Sequence, residues 1–205
     1  MKIAFMGSAC SGKTTLIEQF IKNWPNFKKS EKTYRDLILE KGLDLNKQGT
    51  KESQSIILDA LIEEINTATP NTVLDRCVID NAVHTLWLHA NKKVTDEFVI
   101  STKYKIRDVI SKYDIIFYVP RSKEIKLEEK ENREIDEAYI DEIDNIFSAV
   151  VGTYERGKDI FFPLDNCPAV ITLNGPPDLR CEMIKLYLKS DGSFFTEEDG
   201  SLIYS

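Results

Sequence analysis

The chain has 205 residues, a formal net charge of −7 and hydrophobic residues at 42% of its positions. This length and apolar content fit one domain over residues 1–205 with a sizeable core. Because tight binding to duplex DNA needs many cations facing phosphates, the acidic balance argues against extended nucleic-acid binding. No apolar run approaches the roughly 18 residues that a membrane span requires, and the four cysteines share no metal-ligand spacing. We therefore expect a cytoplasmic protein outside the membrane, in the host cytoplasm if the chain is viral.

The N-terminal segment combines a buried strand with a phosphate-binding loop. Residues 3–6 are apolar, and the next eight fit the pattern G-x-x-x-x-G-K-[ST] at every fixed position. Glycines let backbone N–H groups surround an anion, the lysine reaches the β- and γ-phosphates, and the Thr14 hydroxyl is placed to ligate Mg²⁺. The pattern predicts that ATP and Mg²⁺ bind here, with the nucleotide held by Gly7, Ser8, Ala9, Cys10, Ser11, Gly12, Lys13, Thr14 and Thr15.

Helical and strand-like patterns alternate after this loop. A first helix is stopped by Pro25, and further helices are predicted over 33–41, 51–68, 80–91, 95–112, 135–151 and from Pro177 to Lys189. Strands are predicted over 26–30, 72–75, 114–119 and 169–173. A mostly charged segment, 121–134, is typical of a solvated helix or a mobile loop. The tail over 190–205 suggests a β-hairpin that turns near Asp199 and Gly200.

Strands that alternate with helices behind a phosphate loop predict an α/β fold of the P-loop NTPase type. We expect about five parallel strands with helices on both faces. In such sheets, ligands bind beyond the carboxyl ends of the strands. The phosphate loop, the end of the third strand and the charged segment should therefore share one rim.

Asp75 and Arg76 directly follow the third predicted strand. A carboxylate at this position can hold Mg²⁺ through water, as a Walker-B acid does, so Thr14 and Asp75 are the predicted metal ligands. An adjacent arginine can donate two hydrogen bonds to phosphate oxygens. A surface ion pair is the alternative interpretation.

These motifs together resemble P-loop nucleoside and nucleotide kinases. The similarity consists of the phosphate loop, E-x-x-x-R after the second strand, D-R-x-x-x-D after the third and a charged lid after the fourth, over roughly residues 1–151. It is strongest to the thymidylate-kinase-like and deoxynucleoside-kinase-like group, which includes ribosylnicotinamide kinases and small phage-type kinases. A GTPase fits less well, because no guanine-reading N-K-x-D follows at a suitable place.

The resemblance implies roles for several acceptor-side residues. Glu31 would act as general base toward the acceptor hydroxyl, Arg35 would bind the acceptor, and Gln54 would hydrogen-bond its base. An exposed helix start and a solvent-facing glutamine are the alternatives. Asp80 would support the metal or the acceptor, or would instead cap a helix.

The resemblance also implies that residues 121–134 form a lid that excludes water from the transferring phosphoryl group. Arg121 and Arg133 are its arginines, and either would reach the β- and γ-phosphates on closure, with Arg133 favoured because it begins a helix. The glutamates between them depart from the family pattern.

The leading functional hypothesis is an ATP-dependent phosphotransferase acting on a nucleoside or a (deoxy)nucleoside monophosphate. In this hypothesis Lys13, Asp75, Arg76, Glu31 and Arg133 carry the chemistry. A second hypothesis is a kinase of a modified base in DNA, such as a hydroxymethyl pyrimidine, with a basic cleft made by Lys28, Lys29, Lys32 and Arg35. A third is a nucleotide-dependent switch or ATPase with a protein partner. The helices over 51–110 are the candidate face of a homodimer.

Overall fold

A five-stranded parallel sheet forms the centre of the computed structural model, which describes residues 1–30, 40, 42–43, 46–125, 136–158 and 160–195. The strands are β1 (Lys2–Met6), β2 (Lys28–Lys29), β3 (Thr72–Asp75), β4 (Ile115–Tyr118) and β5 (Ala169–Thr172). Their spatial order is β2-β3-β1-β4-β5. The register pairs Phe5 with Asp75 and Met6 with Tyr118, so β1, β3 and β4 end at the same rim.

The described helices cover both faces of this sheet. They are α1 (Lys13–Asn23), α2 (Lys51–Thr67), α3 (Val78–Ala90), α4 (Asp96–Arg107), α5 (Glu137–Glu155) and α6 (Arg180–Ile184). Short 3₁₀ turns lie at Asn46–Gln48, Ile110–Lys112 and Pro177–Leu179. The expected α/β fold of the P-loop NTPase type is confirmed.

The alternation of side chains along β1 divides the core in two. Ile3 and Phe5 pack with α1 and α6, whereas Ala4 and Met6 pack with α2, α3, α4 and α5. All four side chains are fully buried. A strand buried on both faces must be apolar at every position, which is why residues 3–6 form an unbroken apolar run.

Several boundaries differ from those predicted. α3 begins at Val78 rather than at residue 80, because the Asp80 carboxylate accepts the backbone N–H of Cys77 and completes a capping box. α6 ends at Ile184 instead of continuing to Lys189: the following turns use i→i−3 bonds, and Leu188 then forms an antiparallel bridge with Phe194. The predicted helix over 33–41, apart from residue 40, and the turn at Asp199 and Gly200 lie outside the described residues.

Within the described part of the chain, no helix combines the length and the apolarity that a membrane crossing requires.

Candidate active site

The phosphate loop joins the end of β1 to the start of α1, as its sequence pattern predicts. Gly7 has φ 147° and Gly12 has φ 88°, which disfavour residues with a Cβ. A Cβ at Gly7 would also lie 2.4 Å from the carbonyl oxygen of Val119, just after β4. Gly7 is therefore required by a close backbone approach as well as by its φ angle.

The Lys13 ammonium group lies inside the loop. Its Nζ donates hydrogen bonds to the carbonyl oxygens of Gly7 and Ser8, at 2.8 and 2.5 Å, and to Oγ of Ser11 at 3.1 Å. The side chain is buried, with 5% of its surface exposed. A buried cation among backbone dipoles makes this loop a site for an anion.

The predicted Mg²⁺ ligands lie at the ends of adjacent elements. Thr14 is exposed in the first turn of α1, and Asp75 is buried at the end of β3. Because β3 neighbours β1, its terminal carboxylate reaches the rim from which the phosphate loop begins. A hydroxyl and a carboxylate are oxygen ligands of the kind that Mg²⁺ takes together with phosphates and water, so this pair fits the ion. In the described residues, no group of three or more His, Cys, Asp or Glu side chains is placed to hold a metal.

A buried ion pair links the phosphate loop to α3. Arg76 Nη1 donates to Asp80 Oδ1 at 2.7 Å and to the carbonyl oxygen of Gly7 at 3.3 Å. The same carboxylate oxygen accepts the Gly7 N–H at 3.4 Å, while Oδ2 accepts the Cys77 N–H at 2.9 Å. Arg76 has φ 102°, an unusual value for a residue with a side chain. Cys77 is the N-cap of α3, so Asp80 completes the capping box from the third helical position rather than being the N-cap itself, and it also holds the phosphate loop.

Burial raises the pKa of the Asp80 carboxyl above its usual value, and the cations of Arg76 and Lys13 oppose that shift. Only 2% of the Asp80 surface is exposed. A carboxylate this deeply buried depends on its hydrogen bonds and its cationic neighbours to stay ionised.

A cavity lies beside this ion pair, between the 3₁₀ turn at Asn46–Gln48, α2 and α3. Its lining comprises Asn46, Gln54, Ile57, Leu61, Arg76, Asp80, Asn81 and His84. Asn81 Nδ2 donates to the main-chain oxygen and to Oε1 of Gln54, both at 2.9 Å. Asn81 Oδ1 is buried and has no hydrogen-bond partner among the described residues. Gln54 is therefore buried in this cavity rather than exposed to bulk solvent.

His84 lines the same cavity one helical turn beyond Asp80. Its Nδ1 lies 2.9 Å from the hydroxyl of Tyr139, which belongs to α5. Burial lowers the pKa of His84 to about 3, with further lowering from Arg76 and Lys13. The ring is therefore neutral at physiological pH and presents one donor and one acceptor nitrogen.

The segment after β4 starts with Arg121, whose side chain contacts the carboxylates of α5. It binds Glu137 at 2.6 Å and also Asp141. Its backbone N–H donates to Asp144 Oδ1 at 3.1 Å, and the same oxygen accepts the hydroxyl of Ser8 at 2.8 Å. Asp144 thus connects α5 to the phosphate loop. The role of Arg121 toward a nucleotide stays a prediction.

Three predicted site residues, Glu31, Arg35 and Arg133, lie outside the described residues, and their roles also remain predictions.

Sequence reasoning missed four residues of this region: Asn81, His84, Asp144 and Arg180. Asn81 and His84 had a signal, since positions 80, 81 and 84 share one face of a helix. Asp144 lies far along the chain within an ordinary amphipathic helix, and Arg180 follows a turn with no motif. Only the tertiary structure brings these last two to the phosphate loop.

The fold and the loop define a P-loop nucleotide-binding protein. A family model described as an AAA domain matches residues 2–156, so the chain belongs to that family. A search of curated proteins found no match.

Solved structures of a kinase and of the NadR protein share the fold. Deoxyadenosine kinase from M. mycoides, with dCMP and dCDP bound, is 18% identical with a TM-score of 0.62, over 90% of this chain and 96% of that one. NadR in complex with NR is 18% identical with a TM-score of 0.59, over 93% of this chain and 48% of NadR. NadR with NAD and AMP-PNP is 16% identical with a TM-score of 0.60, over 95% of this chain and 50% of NadR. The chain spans about half the length of NadR. The resemblance to P-loop kinases seen in the motifs is confirmed at the level of fold.

Replacing Gly7 with alanine tests the close approach of the loop to Val119. Gly157→Ala is the matched control, because Gly157 has φ 61° but a Cβ added there would meet no atom within 4 Å. We expect the control to lose about 1 kcal/mol through backbone strain and Gly7→Ala to lose a further ~1–3 kcal/mol through overpacking. Urea unfolding measures both. Equal losses in the two variants would contradict the clash.

His84 should make the fold sensitive to acid. Its folded pKa of about 3 lies below the unfolded value near 6.5. The unfolded chain therefore binds the proton first, and stability falls as the pH drops from about 6.5 toward 3. In His84→Gln we expect the free energy of unfolding to fall less steeply over this window, by up to about 1.4 kcal/mol per pH unit. Urea unfolding between about pH 7 and pH 5 measures how steeply the free energy of unfolding changes with pH. Near pH 8 the histidine is neutral in the folded and the unfolded chain, so unfolding there measures only the loss of packing in the variant. Identical slopes in variant and wild type would contradict this role of His84.

Proposed function

We propose that the protein is a phosphotransferase that moves the γ-phosphoryl group of Mg-ATP to a hydroxyl of a nucleoside or nucleotide. The observation that carries this proposal is that two residues border both the phosphate loop and the cavity beside it. Arg76 and Asp80 line the cavity and also bond to Gly7 of the phosphate loop. An acceptor in that cavity would lie next to a phosphoryl group held by the loop, and such proximity is the main requirement of phosphoryl transfer.

The donor side rests on Lys13, the loop N–H groups, Thr14 and Asp75. The ammonium group would leave the carbonyl oxygens of Gly7 and Ser8 and turn to the β- and γ-phosphates. Thr14 and Asp75 would hold Mg²⁺, which neutralises charge that develops on the phosphoryl oxygens. Arg76 would add positive charge at the boundary between donor and acceptor.

The cavity favours a neutral heterocycle rather than a second anion. Its amide pair, Gln54 and Asn81, leaves the buried Oδ1 of Asn81 as an acceptor without a partner among the described residues. His84 is neutral, and Arg76 is paired with Asp80. Amide groups recognise the adjacent donor and acceptor atoms on the edge of a nucleobase. Ile57 and Leu61 supply apolar contacts for its ring. A nucleoside therefore fits better than its monophosphate.

The bound ligands of the similar folds agree with this proposal, since one neighbour holds dCMP and dCDP and another was solved with NR or with AMP-PNP. Glu31 would take the proton of the acceptor hydroxyl, while Arg35 and Arg133 would bind the acceptor and the transferring group, as the motif resemblance implies.

The test is ATP consumption with Mg²⁺ against nucleosides, nucleoside monophosphates and an oligonucleotide that carries a hydroxymethyl pyrimidine. We expect one small acceptor to be phosphorylated and Lys13→Ala to lose at least about 10³-fold in kcat, because the main charge on the phosphates is removed. Lys185→Ala, an exposed lysine of the described chain bonded to Glu182, is the control.

Each alternative outcome has a distinct meaning. Turnover with the oligonucleotide alone would favour the DNA-base kinase, with the exposed Lys28 and Lys29 at the sheet edge as its first contacts. Nucleotide binding without any acceptor-dependent turnover would favour the switch. Retained activity in Lys13→Ala would refute the phosphotransferase assignment.

Asn81→Leu should identify the acceptor side. The substitution keeps the branching and the number of side-chain heavy atoms but removes both the buried Oδ1 and the donor to Gln54, so the KM for the nucleoside should rise about 10- to 100-fold. The KM for ATP should stay within about twofold, because Asn81 lies on the cavity rather than on the loop. Steady-state kinetics with each substrate varied in turn separate these effects. Equal changes in both constants would contradict the assignment.

A further inference from the structure

A buried arginine from the C-terminal part of the chain contacts the phosphate loop. Arg180, the first residue of α6, has 2% of its surface exposed. Its Nη1 donates to the carbonyl oxygen of Ser11 at 2.6 Å, and its Nη2 donates to the carbonyl oxygen of Pro120 at 2.7 Å. One guanidinium group thus fastens the phosphate loop to the chain that leaves β4. Arg180 lies beyond residues 2–156, which the family model matches.

The bond to Ser11 fixes the direction of the next N–H group. In a planar trans peptide, the carbonyl of one residue and the N–H of the following residue point in opposite directions. Holding the Ser11 oxygen toward Arg180 therefore directs the Gly12 N–H away from Arg180. A Cβ at Gly12 would lie 4.0 Å from Nη1 of Arg180, which shows how closely the guanidinium approaches this peptide. In phosphate loops these N–H groups bind the phosphates.

Within the described residues, the hydrogen-bond partners of Arg180 are neutral. Its two hydrogen bonds go to carbonyl oxygens, and within the described residues no carboxylate forms an ion pair with it. Its buried Nε has no hydrogen-bond partner there either. Asp144 and Glu124 act on it only through longer-range attraction. A buried cation without a contacting anion is unfavourable, and a bound polyphosphate beside the loop would supply the missing negative charge.

Arg121 differs from Arg180 in this respect. Arg121 already binds Glu137 and Asp141 on α5. Among the described arginines near the loop, Arg180 is thus the one whose charge has no carboxylate within ion-pair distance, since Arg76 is paired with Asp80. This observation is independent of the acceptor cavity.

We propose that Arg180 is a positioning residue of the nucleotide site, which orients the Ser11–Gly12 peptide toward the β-phosphate and places a buried positive charge on the opposite side of that peptide. The role rests on the part of the proposed function in which the loop binds a nucleoside polyphosphate. It does not depend on the identity of the acceptor.

The test is equilibrium binding of ADP and of AMP to the full chain and its variants. Arg180→Gln should raise the Kd for ADP at least about tenfold, as expected for loss of charged hydrogen bonds, and should raise the Kd for AMP much less. The preference for ADP over AMP therefore falls. Arg180→Lys keeps the charge but cannot span both carbonyls, so its ADP affinity should be intermediate. Lys185→Gln removes an exposed charge next to α6 and should bind like the wild type.

Comparing the changes in Kd for ADP and AMP distinguishes a positioning role of Arg180 from a general loss of structure. A merely structural role would weaken ADP and AMP binding in the same proportion and lower the Tm of the unliganded chain, and that result would overturn the proposal. Wild-type ADP affinity in Arg180→Gln would overturn it as well. If Arg180→Gln does not fold, the ADP affinity of Arg180→Lys is the deciding measurement. Wild-type affinity in Arg180→Lys would show that the contact with both carbonyl oxygens is dispensable, and would overturn the proposal.

The wild-type chain distinguishes this inference from the proposed function. Failure of the wild type to bind ADP would remove the nucleotide site and the role of Arg180 together. Failure to phosphorylate any acceptor would refute the phosphotransferase only, and the ADP measurements would still decide the role of Arg180.

Discussion

The buried carboxylate of Asp80 is the constraint on which the arrangement of this rim depends. It accepts N–H groups from Gly7 and Cys77 and the guanidinium of Arg76, so one side chain joins β1, the turn after β3 and the first turn of α3. A buried carboxylate is unfavourable without such donors. The loop, the helix start and the ion pair are therefore stable only in combination. The cavity beside α3 takes its position from the same contact.

The phosphate loop is held from the opposite side by residues distant in sequence. Asp144 on α5 accepts the Ser8 hydroxyl, and Arg180 on α6 donates to the Ser11 carbonyl. Both also bind the backbone just after β4, at Arg121 and Pro120. The chain that leaves β4 and leads to the predicted lid is thus tied to the loop at two points. Any movement of that segment on nucleotide binding must act on these contacts.

Much of the fold could be predicted because its determinants are local. The apolar run before Gly7, the helical periodicities and the strand over 72–75 depend on neighbours within one or two turns of chain. The structure reproduces the run, the strand and most of the helical segments that it describes, although the helix predicted over 95–112 ends at Arg107. The rim position of Asp75 and Arg76 followed from the parallel sheet alone. The exact ends of α3 and α6 could not be predicted, because capping by Asp80 and the bridge between Leu188 and Phe194 are specific contacts.

The sequence by itself determined a P-loop α/β chain with a phosphate loop. The reason is that each glycine, lysine and hydroxyl position of the loop has a defined role in binding an anion or its metal ion. Through resemblance it also predicted that Gln54 contacts an acceptor. Only the tertiary structure decided that Gln54 pairs with Asn81, that His84 lines the same cavity and that Arg180 reaches Ser11. The physical reason is that these contacts join helices and loops far apart along the chain, and burial and charge pairing are set by such packing rather than by any local pattern.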